Sequence, residues 1–342
     1  MFFGSHSKGS KIGSEVCRVQ DMQDIIFKYA VVDIGANSVR MNIYDIDKRD
    51  GSFTVCAFAR SMLGLAAYVK NGALDGDGQG KLFTVMREFL ARANSYPCDK
   101  FSAFATASLR GLSNSEKIRR DIKTGLGIDV EIISGETEAS YDHAAICSRF
   151  PDAEKGVLID MGGGSTEIVL FEKEKVLSMA SLPIGCVMLM KKFTACSKKE
   201  PFPNKKELSA IRSYVKTTLQ AHPEFQNVGG AAYLIGGTAR AAAKLHTALF
   251  DGGALSDGYD FSNEDLKKIA DTAFRDIREM NGKWIREIVP DRVTSVIPGL
   301  AAYELIMEYM GLERFVMSTA GVREGYLIEY LKKNFPQRTP ES

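Results

Sequence analysis

The chain has 342 residues, of which 45% are hydrophobic and 25% are charged. This is an ordinary globular composition, and the length exceeds what one hydrophobic core usually supports, so we expect two domains. Lys and Arg number 44 against 43 for Asp and Glu, and the net charge of +1 gives no electrostatic reason to expect a nucleic acid or a membrane surface as a partner.

The six cysteines lie far apart and form no C-x-x-C pair, which argues against a zinc site and against a disulfide framework. No stretch approaches the ~20 apolar residues of a membrane span, and the first residues lack the apolar core of a signal peptide. We therefore expect a cytoplasmic protein in which residues 1–28 form a flexible leader before the fold.

Helix and strand patterns alternate along the rest of the chain, which predicts an α/β fold. The first strong signal is a hairpin at 29–47, YAVVDIGANSVRMNIYDID, with a polar Gly-Ala-Asn-Ser tip. A second hairpin follows at 157–172, VLIDMGGGSTEIVLFE. Between the hairpins we predict a helix in 78–96, a strand in 100–110, a helix in 114–127, a strand in 129–136 and a helix that starts near Thr137. After the second hairpin we predict helices in 204–220, 263–280, 299–311 and 322–335, and a strand, glycine turn and helix in 231–245.

The two hairpins match each other without a gap, at an offset of 160 − 33 = 127 residues. The matched positions are Asp33 with Asp160, Gly35 with Gly162, and Ser38 with Ser165. This repeat predicts an internally duplicated protein whose halves face each other across a cleft. We place the first domain at 29–135 and the second at 136–321, and expect the C-terminal helix, 322–336, to pack back on the first.

Both hairpin tips combine carboxylates with glycines. Glycines let a ligand approach the main chain closely, and the N–H groups they expose form a cradle for an anion such as phosphate. Asp33, Asp160 and Glu167 flank these tips, where a cation such as Mg²⁺ could bridge carboxylate and phosphate oxygens. Asp and Gly also make ordinary turns, but two tips in the same register favour a functional site.

Three further residues could take part in phosphate chemistry. Glu136 and Glu138 lie around the start of a predicted helix, where acidic residues are also favoured by the helix dipole alone. Arg110 ends a predicted strand, where its guanidinium could bind phosphate, although a lone arginine is more often a solvated surface charge. The four histidines form no paired motif, so histidine-based metal hydrolysis is unsupported.

Eight motifs, taken in order, make the chain resemble the exopolyphosphatase and guanosine pentaphosphate phosphohydrolase (Ppx/GppA) family of the actin-like, sugar-kinase-like ATPase superfamily. They are DIGANSVRMNIY, FATASLR, ISGETEAS, DMGGGSTEIVLF, SLPIGC, IGGTAR, IPGLAAYE and STAGVREG, between about Tyr29 and about Leu331. The resemblance implies duplicated actin-like, ribonuclease H-like domains with a cleft between them. It also implies the short two-domain type, Mg²⁺ or another divalent cation as cofactor, and a homodimer.

The resemblance also implies roles for individual residues. The phosphate-binding positions are Gly35, Asn37, Ser38, Arg110, Gly162, Gly163, Gly164 and Ser165. The catalytic positions are Glu138, Asp160 and Glu167, with Glu138 as the general base. The metal-binding positions are Asp33, Asp160 and Glu167.

We therefore expect a hydrolase that releases terminal phosphate from polyphosphate or from guanosine pentaphosphate. One alternative is a phosphotransferase of the same superfamily, for which LIGGTARAA (234–242) is the only candidate nucleotide site. The other alternative is a non-catalytic sensor that binds either polyanion in the cleft. Concentrated negative charge close to an anion is of little use to a pure binder, which favours the enzyme.

Overall fold

The computed structural model describes residues 25–195, 202–250 and 252–335. Most of the predicted leader, residues 1–24, lies outside these residues. The first strand begins at Ile26, so residues 26–28 belong to it and not to the leader as predicted. No helix of the described segments is long and apolar enough to cross a membrane.

Within the described residues, the first half of the chain forms a five-stranded sheet covered by helices. In chain order its elements are β1 (Ile26–Ile34), β2 (Val39–Asp47), β3 (Phe53–Ser61), β4 (Val69–Lys70), β5 (Ala73–Leu74), α1 (Gly76–Ser95), β6 (Lys100–Ala105), α2 (Ser115–Leu126) and β7 (Val130–Ile132).

The described part of the second half forms a six-stranded sheet with a larger set of helices. Its elements are α3 (Gly135–Arg149), β8 (Lys155–Met161), β9 (Thr166–Glu172), β10 (Lys175–Leu182), α4 (Cys186–Phe193), α5 (Lys205–Gln220), β11 (Ala231–Ile235), α6 (Gly236–Phe250), β12 (Asp260–Ser262), α7 (Asn263–Met280), α8 (Lys283–Ile288), α9 (Val296–Met310), β13 (Arg314–Met317) and α10 (Val322–Asn334).

The two sheets repeat one topology, which confirms the predicted duplicated actin-like fold. The first sheet has the strand order β3-β2-β1-β6-β7, and the second has β10-β9-β8-β11-β13 with β12 added at its edge. In each sheet the first three strands form an antiparallel meander and the next two run parallel to the first strand. The predicted domain boundaries themselves stay a prediction.

Helices cover both faces of each sheet, and this explains the nearly continuous apolar runs of β1 and β8. Along β1, Ala30 and Val32 join the core on the α1 and α2 side. Tyr29 and Val31 face the opposite way and pack with Val322, Leu327 and Leu331 of α10. The last helix of the described residues, α10, therefore packs on the first sheet.

Two helices cross between the halves. Helix α3 packs on the second sheet through Ala139 and Ile146, and α10 packs on the first. They approach so closely that a Cβ on Gly325 would lie 1.7 Å from the carbonyl oxygen of Tyr141. This crossing places the middle of α3, at Tyr141, against the first turn of α10.

Three predicted boundaries need correction. Helix α3 begins at Gly135 and not near Thr137, because the Ser134 hydroxyl accepts a hydrogen bond from the Thr137 N–H and caps the helix earlier. The strand predicted to end at Arg110 ends at Ala105, and Arg110 lies in the following turns. Helix α9 begins at Val296, three residues before its predicted start, because a proline is tolerated in a first helical turn.

Candidate active site

The two hairpin tips have the same backbone geometry. The N–H of Gly35 donates to the carbonyl oxygen of Ser38 at 3.1 Å, and the N–H of Gly162 donates to that of Ser165 at 3.0 Å. We call residues 35–38 the first loop and residues 162–165 the second loop. The offset of 127 residues read from the sequence is therefore an offset between two equivalent turns.

The carbonyl groups of both loops are held by donors of the surrounding protein. In the first loop, the carbonyl oxygens of Ala36 and Asn37 accept from the N–H groups of Ala66 (3.1 Å) and Gly64 (2.9 Å). In the second loop, the carbonyl oxygen of Gly162 accepts from the N–H of Cys186 at 3.1 Å, and that of Gly163 accepts from the first turn of α4.

The N–H groups at the tips are left for a ligand. Within the described segments, the N–H groups of Asn37, Gly163 and Gly164 donate no hydrogen bond to the protein. Successive backbone N–H groups without protein acceptors form a nest for an anion. The second loop therefore has two successive free N–H groups, as an anion cradle requires, and the first loop adds the N–H group of Asn37.

The loops face each other across a cavity of about 80 Å³ that both of them line. A Cβ on Gly163 would lie 3.2 Å from the Cβ of Ala36 and 3.7 Å from the N of Asn37. A Cβ on Gly164 would lie 2.8 Å from the Cβ of Ala107. The glycines of the second loop thus keep the space against the first half of the molecule open.

Glu138 reaches this cavity from the first turns of α3 and is only 7% exposed. Its Oε2 lies 3.3 Å from a terminal nitrogen of Arg110. The same nitrogen lies 3.4 Å from Oγ of Ser165 and 3.7 Å from Oε1 of Glu167. Arg110 therefore connects the glutamate of α3 to the second loop, although the turn that carries it was predicted as a strand.

Burial and neighbouring acids disfavour charge on three carboxyl groups here. Burial raises the pKa of Glu138 well above its ordinary value, and the charges of Glu167 and Asp160 raise it further. Burial and the charge of Asp160 raise the pKa of Glu167 to about 7. Burial raises the pKa of Asp160 to about 6. A raised pKa makes a carboxylate a better general base, and a cation bound among these acids would stabilise their charged forms.

Asp33 lies in a different environment. Its carboxylate is 3.6 Å from a terminal nitrogen of Arg323 in α10. In the β1–β2 register it faces Arg40, whereas Asp160 faces Glu167 in the β8–β9 register. The second hairpin therefore places two acids directly opposite each other, which is unfavourable without a cation.

The carboxylates fit a divalent cation that is shared with substrate. No group of three or more His, Cys, Asp or Glu side chains in the described segments can hold a metal alone. Mg²⁺ is commonly held by one or two carboxylates together with phosphate oxygens and water. Oε2 of Glu167 is buried without a hydrogen-bond partner among the described residues, so it is an available ligand atom.

Most predicted site residues meet at this cavity. Its lining includes Asp33, Gly35, Asn37, Ser38, Glu138, Asp160, Gly162, Gly163, Gly164 and Ser165. Arg110 and Glu167 do not line it but contact residues that do. A larger groove of about 1180 Å³ lies on the other side of α3 and α10, is lined by both acids and bases, and contains neither loop.

The sequence analysis missed several charged residues of the site. Arg40 and Arg292 line the cavity, and Arg240 and Arg323 lie close enough to affect the pKa of Arg40. Arg40 occupies the position of the first hairpin that Glu167 occupies in the second, since 40 + 127 = 167, so the repeat could have identified it. No local pattern marks Arg292.

Asp142 is a further buried acid that was not predicted. It lies one helical turn after Glu138, is fully buried, and neither carboxyl oxygen has a hydrogen-bond partner among the described residues. A Cβ on Gly321, just before α10, would lie 3.6 Å from its Oδ1. Burial, followed by the charge of Asp160, raises the pKa of Asp142 well above its ordinary value.

Comparison with known proteins points to phosphatases that act on phosphate chains. A family model described as the Ppx/GppA phosphatase family matches residues 44–334. The chain is 26% identical over 313 residues to a putative exopolyphosphatase of Haemophilus influenzae, covering 90% of this chain and 92% of that protein. It is 23% identical over 309 residues to the guanosine-5′-triphosphate,3′-diphosphate pyrophosphatase of Vibrio vulnificus, covering 89% of this chain but only 59% of that longer protein.

Solved structures share the fold over nearly their whole length. The crystal structure of the Aquifex aeolicus member of the Ppx/GppA family has a TM-score of 0.73 and 25% identity, covering 90% of this chain and 99% of that one. An exopolyphosphatase from Cytophaga hutchinsonii has a TM-score of 0.80 at 19% identity, covering 90% and 98%.

Proposed function

The chain belongs to the Ppx/GppA phosphatase family, and from this premise we propose that it hydrolyses the terminal phosphoanhydride bond of polyphosphate or of guanosine pentaphosphate. One observation carries the proposal. The carboxyl group of Glu138 and both loops line the same cavity of about 80 Å³. A base and an anion cradle thus meet in a space of the order of one phosphoryl group.

In the proposed reaction, the terminal phosphoryl group lies between the loops. Asn37, Gly163 and Gly164 donate their N–H groups to its oxygens, and Arg110 supplies positive charge beside Ser165. Positioning and charge neutralisation are the main requirements of phosphoryl transfer. The loops are already held in place by the surrounding protein, so they can position the phosphoryl group without reorganisation.

Glu138 acts as the general base. It accepts a proton from water as the water oxygen bonds to the terminal phosphorus and the bond from phosphorus to the bridging oxygen breaks. The shortened chain leaves with that oxygen, and the proton passes from Glu138 to the products or to solvent. Burial and the neighbouring acids raise the pKa of Glu138, which makes it a stronger base than an exposed glutamate.

Asp160 and Glu167 would hold Mg²⁺ or another divalent cation, with Asp33 on the opposite hairpin. Such an ion would neutralise charge on the phosphate oxygens. It would also relieve the repulsion between two acids that face each other in the strand register. Oε2 of Glu167 is buried without a hydrogen-bond partner among the described residues, whereas the carboxylate of Asp33 is paired with Arg323, so we place Asp160 and Glu167 as the main ligands.

The test is the substitution Glu138→Gln, which keeps the shape of the side chain and removes the base. We expect phosphate release in the presence of Mg²⁺ to fall by on the order of 10²-fold or more. Glu136→Gln is the matched control, because Glu136 lies in the first turn of the same helix and is exposed. Unchanged turnover in Glu138→Gln would contradict the assignment.

The same assay separates the alternatives. Polyphosphates of several lengths and guanosine pentaphosphate are compared as substrates, with the label in the terminal phosphate. Label released into solution supports hydrolysis, label on an acceptor indicates a phosphotransferase, and tight binding without release indicates a sensor. The cytoplasmic setting and the homodimer stay predictions.

A further inference from the structure

The two loops are held by separate supports, one in each half of the molecule. We call residues 64–68 the first support, because the N–H groups of Gly64 and Ala66 donate to carbonyl oxygens of the first loop. Helix α4 is the second support, because the N–H groups of its first turn donate to carbonyl oxygens of the second loop. The relative position of the two supports therefore sets the spacing of the loops.

Lys191 joins the two supports. It lies in the last turn of α4, and its Nζ donates a hydrogen bond to the carbonyl oxygen of Ala66. The same carbonyl oxygen accepts from the N–H of Val69, at the end of the 3-10 helix Leu65–Tyr68. Among the hydrogen bonds of the described residues, that of Lys191 alone runs between the two supports. A continuous series of contacts thus leads from the second loop through α4, Lys191 and Ala66 to the first loop.

This contact lies outside the reaction cavity, since neither Lys191 nor Ala66 lines it. Lys191 is an exposed residue, although partial burial lowers the pKa of its ammonium group. A hydrogen bond from a charged donor is stronger than one from a neutral donor. The bond can therefore bias the position of one half against the other without contributing to either hydrophobic core.

The spacing of the loops decides whether both can hold one phosphoryl group. A Cβ on Gly163 would lie 3.2 Å from the Cβ of Ala36, so the loops approach each other closely. The cavity between them has a volume of about 80 Å³. A misplacement of about 1 Å at a site of this kind lowers the rate by on the order of 10²-fold. A bond that fixes the two supports relative to each other can thus affect the reaction without touching the substrate.

We propose that Lys191 is a positioning residue whose hydrogen bond to Ala66 holds the two supports together and thereby sets the spacing of the loops around the terminal phosphoryl group. This inference rests on the proposed function, because it names a residue that prepares the same cavity for the reaction. The alternative role of an exposed lysine near a phosphate site is direct contact with the substrate. The two roles differ in their dependence on the supports, since only a positioning role needs them in place.

The experiment compares Lys191→Met, which removes the donor and keeps the length of the side chain, with Lys192→Met. Lys192 is the matched control, because it has the same charge in the same helix and its Nζ lies over the ring of Tyr214, within the second half. Hydrogen exchange of the ligand-free proteins measures how often the first support opens. We expect exchange in a peptide covering residues 64–68 to be roughly fivefold faster in Lys191→Met and to change by less than about twofold in Lys192→Met.

Phosphate release from tripolyphosphate with Mg²⁺ measures the effect on the reaction. We expect kcat/KM to fall roughly tenfold in Lys191→Met and less than about twofold in Lys192→Met. Lys191→Arg should retain most of the activity, because arginine can also donate to a carbonyl oxygen.

A double-mutant cycle separates positioning from substrate contact. In Gly185→Ala, a Cβ would lie 2.4 Å from the carbonyl carbon of Gly164, which displaces the second loop from its place beside α4. In that background Lys191→Met should lower kcat/KM by less than about twofold further, because the second support no longer sets the position of its loop. A substrate contact would give the same tenfold loss in both backgrounds.

The results that would overturn the proposal are equally definite. Exchange in residues 64–68 that is equal in Lys191→Met and Lys192→Met would show that the hydrogen bond does not hold the first support. Equal kcat/KM in the two variants, or a full tenfold loss that persists in Gly185→Ala, would exclude a positioning role. Wild-type protein that releases no phosphate from tripolyphosphate, polyphosphate or guanosine pentaphosphate would contradict the proposed function, and the exchange measurement would then decide by itself whether Lys191 holds the supports together.

Discussion

The two hairpins have one backbone and opposite chemistry. Each turn is closed by the same hydrogen bond, and each has its carbonyl groups held by donors from outside the hairpin. Seven residues after the matched aspartate, however, the first hairpin has Arg40 and the second has Glu167. Asp33 therefore faces a base in its strand register, and Asp160 faces an acid.

This difference shows how a duplicated fold becomes an asymmetric site. The shared backbone supplies two halves of an anion cradle. The first hairpin adds the positive charge of Arg40 to the cavity, which Arg292 also lines. The second adds carboxylates whose raised pKa values make that side suited to a base and a metal ion. Both copies thus contribute to the anion cradle, whereas the acids proposed for the chemical step come from the second hairpin and from α3.

The largest loss of activity should come from displacing the second loop while the first loop stays in place. A Cβ on Gly185 would lie 2.4 to 2.6 Å from backbone atoms of Gly163, Gly164 and Ser165. Gly185→Ala must therefore displace that loop, and a shift of about 1 Å at a site of this kind costs on the order of 10²-fold in rate. We expect kcat/KM for phosphate release to fall by that factor or more.

The matched change at the first loop is Gly64→Ala. Gly64 supports that loop through Asn37, has a φ of 61°, and has open space around a Cβ. The substitution adds backbone strain of roughly 1 kcal/mol without a clash, so the loss of activity should be much smaller. Equal losses in the two variants would contradict the account of the second loop.

Removing either of the charges that distinguish the two hairpins should reduce kcat/KM by an intermediate amount. Arg40→Gln removes a positive charge from the lining of the cavity that should attract phosphate equally in ground state and transition state, so KM should rise about tenfold with little change in kcat. Glu167→Gln removes charge needed for the chemical step, so kcat should fall about tenfold or more. Steady-state kinetics of both variants checks this division, and the reverse assignment of KM and kcat would refute it.

The smallest expected effect is a change in the free energy of unfolding that depends on one buried carboxyl group. Asp142 is buried without a hydrogen-bond partner among the described residues, and its pKa is raised well above its ordinary value. A carboxyl group whose pKa is higher in the folded state than in the unfolded state destabilises the fold as it ionises. Its contribution to the free energy of unfolding is therefore most favourable at low pH, where the group is protonated in both states. That contribution is lost as pH rises from its unfolded pKa, about 4, toward its folded pKa.

Asp142→Asn should therefore raise the free energy of unfolding by roughly 1 kcal/mol at pH 8 and change it little near pH 4. Thermal unfolding across this pH range, in the presence of a chelator, measures the difference. A variant that is destabilised equally at both pH values would show that Asp142 makes an interaction that the charge argument does not include.

The sequence predicted the twin turns because a gap-free repeat with glycines and aspartates at fixed spacing reports backbone geometry directly. Gly35 and Gly162 begin equivalent turns, as the 127-residue offset implied. The α/β architecture was predictable for a related reason, since apolar runs covered on both faces, such as β1 and β8, indicate central strands. The role of Glu138, in contrast, came from resemblance and could not be derived from spacing.

The charged surroundings of the loops could not be predicted from local pattern. Arg292 reaches the cavity from a single turn of 3-10 helix at Pro290–Arg292, far along the chain, and only the fold places it beside Arg40. Asp142 reads as an ordinary polar helix residue, and its burial depends on the close crossing of α3 and α10. Helix α3 began earlier than predicted because capping by Ser134 outweighed the pattern of its first turn.

The most direct test of the central claim is a crystal structure of the Glu138→Gln protein with tripolyphosphate and Mg²⁺. The account predicts a terminal phosphoryl group between the loops, with oxygens within hydrogen-bond distance of the N–H groups of Asn37 and of Gly163 or Gly164, and with the substituted side chain of α3 lining the same cavity. A phosphate chain held by only one loop, or bound outside the cavity, would contradict the claim that the duplicated turns act together on one anion.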